Sequence, residues 1–214
     1  LTEDEKEVGV AMVDIGACTT NLAAYCDGEI GHIAVFPLGG STVTNDLVRG
    51  LSIPFAEAKR AKEQFGVAST QLVDPQETVE LPGPSPGQKR HIARELIAHV
   101  VEQRLDEMFH LVQEELGQQD LLNKLGAGIV LTGGAAALYG TVELAQQVFA
   151  LPIRAGVPGE GLGGLADSVR RPKFATAAGL VLYGADRYEE TGKGASTLTS
   201  GLVTKVGSWL KEFF

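Results

Sequence analysis

The segment VDIGACTTN at residues 13–21 combines residue types that can bind phosphate. An apolar strand ends at Asp14, a glycine follows, and two threonines close the turn. Backbone N–H groups and hydroxyls in such a turn can hold phosphate oxygens, and Asp14 can hold a magnesium ion through water. A plain hairpin turn explains the same residues equally well. The segment alone therefore leaves a phosphate site and a structural turn as alternatives.

Two further glycine-containing segments follow later in the chain. VLTGGAA at 130–136 ends a strand in Gly133 and Gly134, which allow the backbone to approach a flat ligand closely. FATAAGLVLYG at 174–184 predicts a helix with small residues on one face and Gly179 in its middle. A glycine there costs about 1 kcal/mol relative to alanine, so close helix contact is a plausible reason for it. Packing explains the paired glycines at least as well as ligand binding does.

The longest helical pattern covers residues 89–117 and carries an arginine at the edge of its apolar stripe. The stripe residues recur at steps of three and four: Ile97, Val101, Leu105, Met108, Val112 and Leu116. At about 100° per residue, Arg104 lies roughly 60° from the centre of this stripe. There its stem can pack on apolar neighbours while the guanidinium faces a ligand. Most other charged side chains of the helix fit a solvated face.

The last residues, LVTKVGSWLKEFF at 202–214, return to helical periodicity after a polar segment. Their large apolar side chains lie on one face: Leu202, Val206, Trp209, Leu210, Phe213 and Phe214. A helix this short is marginal in water, so it needs a surface to stabilise it. Lys205 and Lys211 on the other face suit anionic lipid headgroups. A core helix that docks back on the body is the alternative.

An α/β arrangement must position these segments. Residues 8–37 predict three strands with a tight Asp27-Gly28 hairpin, which is not the opening of a doubly wound dinucleotide fold. The other predicted elements are helices at 41–51 and 55–66, a short strand and loop within 74–88, a helix at 89–117, the strand AGIVLT, a helix at 136–149, a short strand at 153–156 and a core helix at 174–187. Polar residues 188–201 predict a linker.

Composition argues against several classes of function. Apolar residues make up 44% and charged residues 21%, which excludes disorder of the whole chain. A net charge of −9 makes nucleic-acid binding a poor hypothesis, because such binding needs cations that replace counterions. Cys18 and Cys26 form no CxxC pair and the four histidines lack metal-ligand spacing, so we expect a reducing cytoplasm and no cysteine-based zinc site. We expect neither a membrane-spanning segment nor a signal peptide.

The three glycine-containing segments, in this order and spacing, resemble the second phosphate loop, the adenosine loop and the second connecting helix of the actin-like ATPase superfamily. Within it the chain resembles the FtsA family of bacterial cell-division proteins. The similar motifs are LTEDEKEVGV, PLGGSTVTNDLVRGL, the P-x-x-E-A-x-x-x-K helix, GIVLTGGAA, FATAAGLVLYG and KVGSWLKEFF. The resemblance covers essentially all 214 residues, but only the C-terminal half of such a protein.

The resemblance implies an α/β fold: an actin-like (ribonuclease-H-like) ATPase lobe with an inserted smaller α/β subdomain and a C-terminal amphipathic helix. The implied domains are a nucleotide-binding subdomain at 1–40 and 126–187, an inserted subdomain at 41–125 that binds the tail of FtsZ, a flexible linker at 188–201 and a membrane-targeting helix at 202–214. The first phosphate loop and first connecting helix are expected in an upstream part of the protein.

The resemblance also assigns ligands to particular residues. It implies ATP and Mg²⁺ in the full-length protein, with phosphate contacts at Gly16, Thr19 and Thr20, magnesium near Asp14, and adenine and ribose contacts at Lys62, Gly133 and Gly134. The family usually has DIGGGTTD, whereas this chain has Ala17, Cys18 and Asn21. Lys59 stands where the family commonly has Glu near the ribose. It further implies that Arg104, with Arg94 and Arg90, binds the C-terminal peptide of FtsZ.

The implied function is that of an adaptor and scaffold of cell division. Such a protein anchors FtsZ filaments to the cytoplasmic face of the inner membrane at the division septum, associates with itself into actin-like filaments and recruits other division proteins. The membrane surface is anionic, and no nucleic acid is involved. At most a weak ATPase activity is expected, in the full-length protein. The alternatives are a PilM-like pilus-assembly protein, whose phosphate loop also has the form DIGA-x-x-TN, and a kinase or chaperone-type ATPase lobe.

The phosphate loop generates a first prediction. Side chains at Ala17 and Cys18 narrow a loop whose backbone must contact phosphate, and one wall of the cleft is expected upstream. Residues 1–214 alone should therefore bind ATP only weakly in the presence of magnesium. Isothermal calorimetry measures this affinity, and a submicromolar dissociation constant would contradict the prediction.

Overall fold

The computed structural model describes residues 1–83, 87–159 and 166–190, and a five-stranded mixed sheet is its centre. The strands of this sheet are β1 (Val10–Ile15), β2 (Thr20–Cys26), β3 (Glu29–Phe36), β6 (Ile129–Thr132) and β7 (Ile153–Ala155). They lie in the order β3-β2-β1-β6-β7. β1 pairs antiparallel with β2 and parallel with β6, so the two glycine-containing turns after β1 and β6 lie at the same edge of the sheet.

The three predicted strands at the start of the chain are confirmed. Asp27 and Gly28 both have positive φ values, 53° and 80°, and connect β2 to β3. Two consecutive residues with positive φ form the hairpin turn whose twist matches that of the strands, and an Asp-Gly pair favours it. The sequence does not predict the short helix that precedes β1. That helix, α1 (Glu3–Val8), begins with a capping box in which Thr2 and Glu5 bond each other's backbone.

The segment between β3 and β6 contains three helices and a small hairpin. They are α2 (Gly40–Leu51), α3 (Phe55–Phe65), β4 (Thr78–Pro82), β5 (Lys89–Ala93) and α4 (Arg94–Gln118). The predicted helix at 89–117 is wrong at its start, because residues 89–93 pair antiparallel with β4. Their burial alternates, as a strand requires, and this long-range pairing overrides the local helical pattern. Lys89 and Arg90 are therefore strand residues.

Helix α4 joins the hairpin to the central sheet through its buried face. The predicted stripe is confirmed, since each of its six residues is at most 2% exposed. Phe109 is also fully buried, and its ring meets that of Phe149 edge to face at 5.8 Å between centroids. One continuous core contains residues of the sheet, α2, α3, β4, α4 and the following helix. The division into subdomains at 1–40, 126–187 and 41–125 stays a prediction.

The C-terminal elements differ from prediction in three ways. They are α5 (Thr141–Phe149), α6 (Ala166–Val169) and α7 (Ala175–Glu190). α5 starts at 141 rather than 136, because Gly140 has φ of 88° and interrupts the helix after a 3₁₀ turn at Ala135–Ala137. α7 is not a core helix: Leu180, Val181 and Tyr183 are more than half exposed. It also includes residues 188–190 of the predicted linker.

The predicted linker beyond 190 and the amphipathic segment at 202–214 lie outside the described residues. Among the described helices, none has the length and apolar character needed to cross a bilayer.

Candidate functional site

The turn after β1 is held against the first turn of α2. The Gly16 N–H donates to the Thr19 carbonyl at 2.9 Å and closes the turn. The carbonyls of Gly16 and Ala17 accept the N–H groups of Gly40 and Ser41 at 2.9 and 2.7 Å. These bonds satisfy two N–H groups that a helix start leaves without intrahelical partners. The first N–H groups of α2 are therefore engaged by protein rather than directed at a ligand.

A cleft of about 330 Å³, which we name the turn cleft, lies beside this turn. Its walls come from the turns after β1 and β6 and from α2, α3 and α4. The residues that line it are Ile15, Gly16, Ala17, Gly40, Ser41, Val43, Thr44, Phe55, Lys59, Lys62, Glu63, Leu105, Met108, Gly134, Ala135 and Leu138. Three residues predicted to contact nucleotide, Gly16, Lys62 and Gly134, thus meet in one cleft. This volume is in the range of small-molecule sites.

Lys62 fixes one wall of the turn cleft. Its Nζ donates to the Gly40 carbonyl at 2.7 Å and to Thr44 Oγ1 at 2.9 Å. These bonds use two of the three donors of an ammonium group, which leaves one for a ligand. Burial lowers the pKa of Lys62 below its ordinary value. Sequence reasoning found Lys62 by resemblance but missed Thr44, because no local pattern shows which hydroxyl a lysine on another helix contacts.

Asp14 and Gly133 meet where β1 and β6 end. Gly133 has φ of 85°, and a Cβ there would overlap Asp14 Oδ1 and the Ile15 carbonyl oxygen. Glycine is thus required both by conformation and by the close approach of the two turns. The Thr176 hydroxyl at the start of α7 donates to Asp14 Oδ2. Sequence analysis singled out the α7 segment but not Thr176.

The two threonines of the turn have different surroundings. Thr20 is 1% exposed, and its hydroxyl donates to the Leu38 carbonyl at 2.9 Å, so the structure gives it a role inside the protein. Thr19 is partly exposed beside the turn. Neither lines the turn cleft. Their predicted phosphate contacts stay a prediction that rests on resemblance.

Among the residues that depart from the family pattern, Ala17 and Lys59 line the turn cleft, and Asn21 lies on β2, paired with Asp14. Cys18 is exposed, with its Sγ 3.9 Å from Ser41 Oγ. Lys59 lines the turn cleft and pairs with Glu63 at 4.0 Å, so the wall predicted to meet the ribose carries a lysine and a glutamate together. In the described ranges, no group of three His, Cys, Asp or Glu side chains converges as a metal site. Asp14 is the residue predicted to lie near magnesium, and this contact stays a prediction.

A second depression, the Arg104 groove, has a volume of about 240 Å³ and is lined by Asp46, His99, Val100, Gln103, Arg104 and Glu107. Arg104 Nε donates to Asp46 Oδ2 at 2.7 Å, and Nη1 donates to Glu107. The hydrogen bond that Arg104 donates to Asp46 raises the pKa of Arg104 above its ordinary value, so the guanidinium is charged at every relevant pH. Arg104 is at the predicted edge of the stripe, but two carboxylates already hold it.

The other two predicted arginines do not line the Arg104 groove. Arg94 Nε donates to the Phe65 carbonyl at 2.9 Å, and its Nη1 donates to Glu77 at 2.9 Å. Arg94 therefore connects the start of α4 to the end of α3 and to the residue that precedes β4. Arg90 lies on β5, where its Nε and Nη2 are buried without a hydrogen-bond partner among the described residues. The structure therefore does not bring the three predicted arginines together in one groove.

The fold and the turn cleft define a lobe of the actin-like ATPase class. MreB5 of Spiroplasma citri, solved with ADP bound, has a TM-score of 0.66 at 18% identity over 90% of this chain and 62% of its own. A PilM–PilN type IV pilus biogenesis complex has a TM-score of 0.61, also at 18% identity, over 85% of this chain and 47% of its own. These likenesses confirm the predicted fold class.

Sequence comparison identifies the family within that class. The family model for cell division protein FtsA matches residues 11–179. FtsA of Pseudomonas aeruginosa is 42% identical over 94% of this chain and 47% of its own length, and FtsA of Escherichia coli K12 is 38% identical over 99% and 51%. The chain belongs to the FtsA family of cell division proteins, as predicted. It spans about half the length of these relatives.

The two adjacent glycines after β6 provide a matched pair of substitutions. Gly133→Ala should lower the free energy of unfolding by roughly 2 kcal/mol or more, because alanine is strained at this φ and its Cβ overlaps Asp14 and Ile15. Gly134→Ala should change it by less than about 1 kcal/mol, since Gly134 has φ of −66° and its Cβ would enter open space. Urea denaturation measures both, and equal effects would contradict the geometry.

Proposed function

We propose that this chain supplies one wall of a nucleotide site, the docking surface for the tail of FtsZ and a membrane-binding helix in an FtsA-type adaptor of cell division. The observation that carries the proposal is the turn cleft. It brings Gly16, Lys62 and Gly134 together from three separate segments, and they are the residues for which the family resemblance implies a nucleotide. A kinase or chaperone-type ATPase lobe of the same superfamily would contain a similar cleft, so the match to the family model for cell division protein FtsA is what favours the adaptor.

The nucleotide part of the proposal follows from the lining of the turn cleft. Phe55 and Leu138 are accessible apolar side chains of the lining on which a base can pack, Leu105 and Met108 lie buried behind them, and the open side of Gly134 leaves room for the base. Lys62 offers its remaining N–H to the ligand. Such a lining fits ATP, and MreB5 of Spiroplasma citri, a relative in fold, was solved with ADP and with AMPPNP.

Magnesium would lie near Asp14 and would neutralise phosphate charge when bound. The structure fits such a role in one respect, because Asp14 is the next-to-last residue of β1, beside the turn for which phosphate contacts are proposed. Thr176 holds Asp14 Oδ2, which fixes the carboxylate and leaves its other oxygen near Gly133. With a single carboxylate at the site, binding through water is the arrangement that magnesium favours.

The partner proposal places the C-terminal peptide of FtsZ at the Arg104 groove. A peptide with one acidic and several apolar residues suits a groove that presents an arginine beside Val100. Glu107 is the more exposed of the two carboxylates that hold Arg104, with 52% of its side chain accessible against 22% for Asp46. A carboxylate of the peptide therefore replaces Glu107 on Nη1, while Asp46 keeps Nε in place. Arg94 and Arg90 lie outside the Arg104 groove, so this proposal gives them no direct contact with the peptide there.

Changes at Arg104 test the partner proposal. Arg104→Glu should weaken binding of a labelled FtsZ tail peptide by roughly 1.5–3 kcal/mol, because it removes a charge-assisted hydrogen bond. Arg104→Gln should weaken it in the same direction without adding a third carboxylate beside Asp46 and Glu107. Fluorescence anisotropy measures the affinity, and circular dichroism checks the fold. Arg60→Glu is the control, since Arg60 is exposed and pairs with Glu57 of its own helix. Unchanged affinity in both Arg104 variants would remove this residue from the site.

The membrane part of the proposal rests on the sequence pattern at 202–214. A helix that presents Leu202, Val206, Trp209, Leu210, Phe213 and Phe214 on one face can bury them in the interface of an anionic membrane. The proposed site of action is the cytoplasmic face of the inner membrane at the division septum, together with other division proteins.

Self-association into filaments belongs to the same proposal; MamK, a relative in fold with a TM-score of 0.55, was solved as a double helical filament.

A substitution at the single tryptophan tests the membrane proposal. Trp209→Glu should abolish sedimentation with anionic liposomes, because it removes a large apolar contact and adds an anion. Tyr139→Glu is the control, since it makes the same kind of change at an aromatic side chain that is 67% exposed elsewhere. The unchanged protein should sediment and should shift its tryptophan fluorescence on insertion. If it stays in the supernatant, or if deletion of 202–214 unfolds the body, the segment is a core helix instead.

A further inference from the structure

The turn cleft and the Arg104 groove are lined by different residues of the same two helices, α2 and α4. From α2, Thr44 lines the turn cleft and Asp46 lines the Arg104 groove. From α4, Leu105 and Met108 line the turn cleft, and their immediate neighbours Arg104 and Glu107 line the Arg104 groove. A change in the position of either helix relative to the other therefore alters both depressions at once.

Helix α2 has polar contacts at both places. At its start, Gly40 and Ser41 bond the turn after β1, and Lys62 bonds the Gly40 carbonyl and the Thr44 hydroxyl. Less than one turn further along α2, Asp46 receives the 2.7 Å bond from Arg104 Nε. That bond crosses from α2 to α4 with both side chains about three-quarters buried, so it is screened little by solvent. It is the polar link between the helix that borders the turn and the arginine of the groove.

We propose that the two depressions are thermodynamically coupled and that Asp46 is the positioning residue that transmits the coupling. This inference rests on the proposed function, in which a nucleotide fills the turn cleft and an acidic peptide binds Arg104. A ligand in the turn cleft contacts the start of α2, where Gly40 and Ser41 line the cleft, and fixes that helix against α4. The Asp46 carboxylate then holds Arg104 Nε in one orientation, and a preorganised guanidinium binds a carboxylate more tightly. By linkage, the peptide raises the nucleotide affinity by the same factor.

The experiment measures both affinities in the longest natural form of the protein, so that any further part of the nucleotide site is included. AMPPNP with magnesium is titrated by calorimetry, and a labelled FtsZ tail peptide by fluorescence anisotropy, each with and without the other ligand. We expect saturating AMPPNP to raise the peptide affinity about fivefold or more, within the usual range of such couplings. Equal peptide affinities with and without AMPPNP would overturn the inference.

Three variants separate coupling from simple binding. Asp46→Asn keeps the size of the side chain but removes its charge, and it should reduce the coupling factor to less than about twofold while AMPPNP still binds alone. Asp46→Glu should retain coupling, because it restores a carboxylate to Nε. Asp106→Asn is the control on α4, where Asp106 pairs with His110 and lines neither depression. Full coupling in Asp46→Asn would overturn the role of Asp46.

The outcomes also distinguish this inference from the proposed function. If both ligands bind but neither affects the other, the proposed function stands and the coupling is wrong. If the peptide or AMPPNP fails to bind the unchanged protein, the proposed function fails and the coupling fails with it. If Asp46→Asn does not fold, the peptide affinities of the unchanged protein and of Asp46→Glu, each measured with and without AMPPNP, still decide whether the two depressions are coupled.

Discussion

Burial of one face of α4 is the constraint on which the rest of the structure depends. Its stripe from Ile97 to Leu116 is excluded from solvent over most of the length of the helix. Each large aliphatic side chain buried in this way contributes about 1.5–3 kcal/mol. One end of the stripe meets the β4–β5 hairpin and the other meets α5, where Phe109 packs on Phe149. With α4 fixed, Leu105 lies within the buried stripe, and Arg104 at the border of the stripe lines the Arg104 groove.

Polar contacts then place the other walls around this helix. The end of β6 lies so close to the end of β1 that a Cβ at position 133 would overlap Asp14 and Ile15, and only glycine fits there. The carbonyls of the turn after β1 bind the start of α2, which directs that helix across α4 until Asp46 reaches Arg104. A cleft remains between these elements because the glycines and small side chains that line it leave the space unfilled. The site is thus a consequence of how the backbone turns are satisfied, rather than of side chains that were placed for a ligand.

Local patterns predict the parts of this arrangement that local physics determines. The stripe of α4 and the Asp27-Gly28 hairpin were both predictable, because helical periodicity and positive φ have direct signatures in sequence. The strand at Lys89–Ala93 was not, since only its partner at Thr78–Pro82 makes it a strand. The same limit applies to the site: Gly16, Lys62 and Gly134 were found by resemblance. Thr44 contacts Lys62, Asp46 contacts Arg104 and Thr176 contacts Asp14, and no local pattern connects the elements that carry these pairs.

The charge of the protein limits what Arg104 can contribute to partner binding. With Asp46 and Glu107 both on the guanidinium, the three groups sum to −1, and the whole chain carries −9. An acidic peptide is therefore repelled at long range and attracted only when its carboxylate replaces Glu107. Salt at physiological strength screens the long-range repulsion over about 8 Å but affects the part-buried contact at Arg104 less. In the proposed complex, affinity must therefore come mainly from apolar contacts, and the proposed role of Arg104 is to select a peptide that carries a carboxylate.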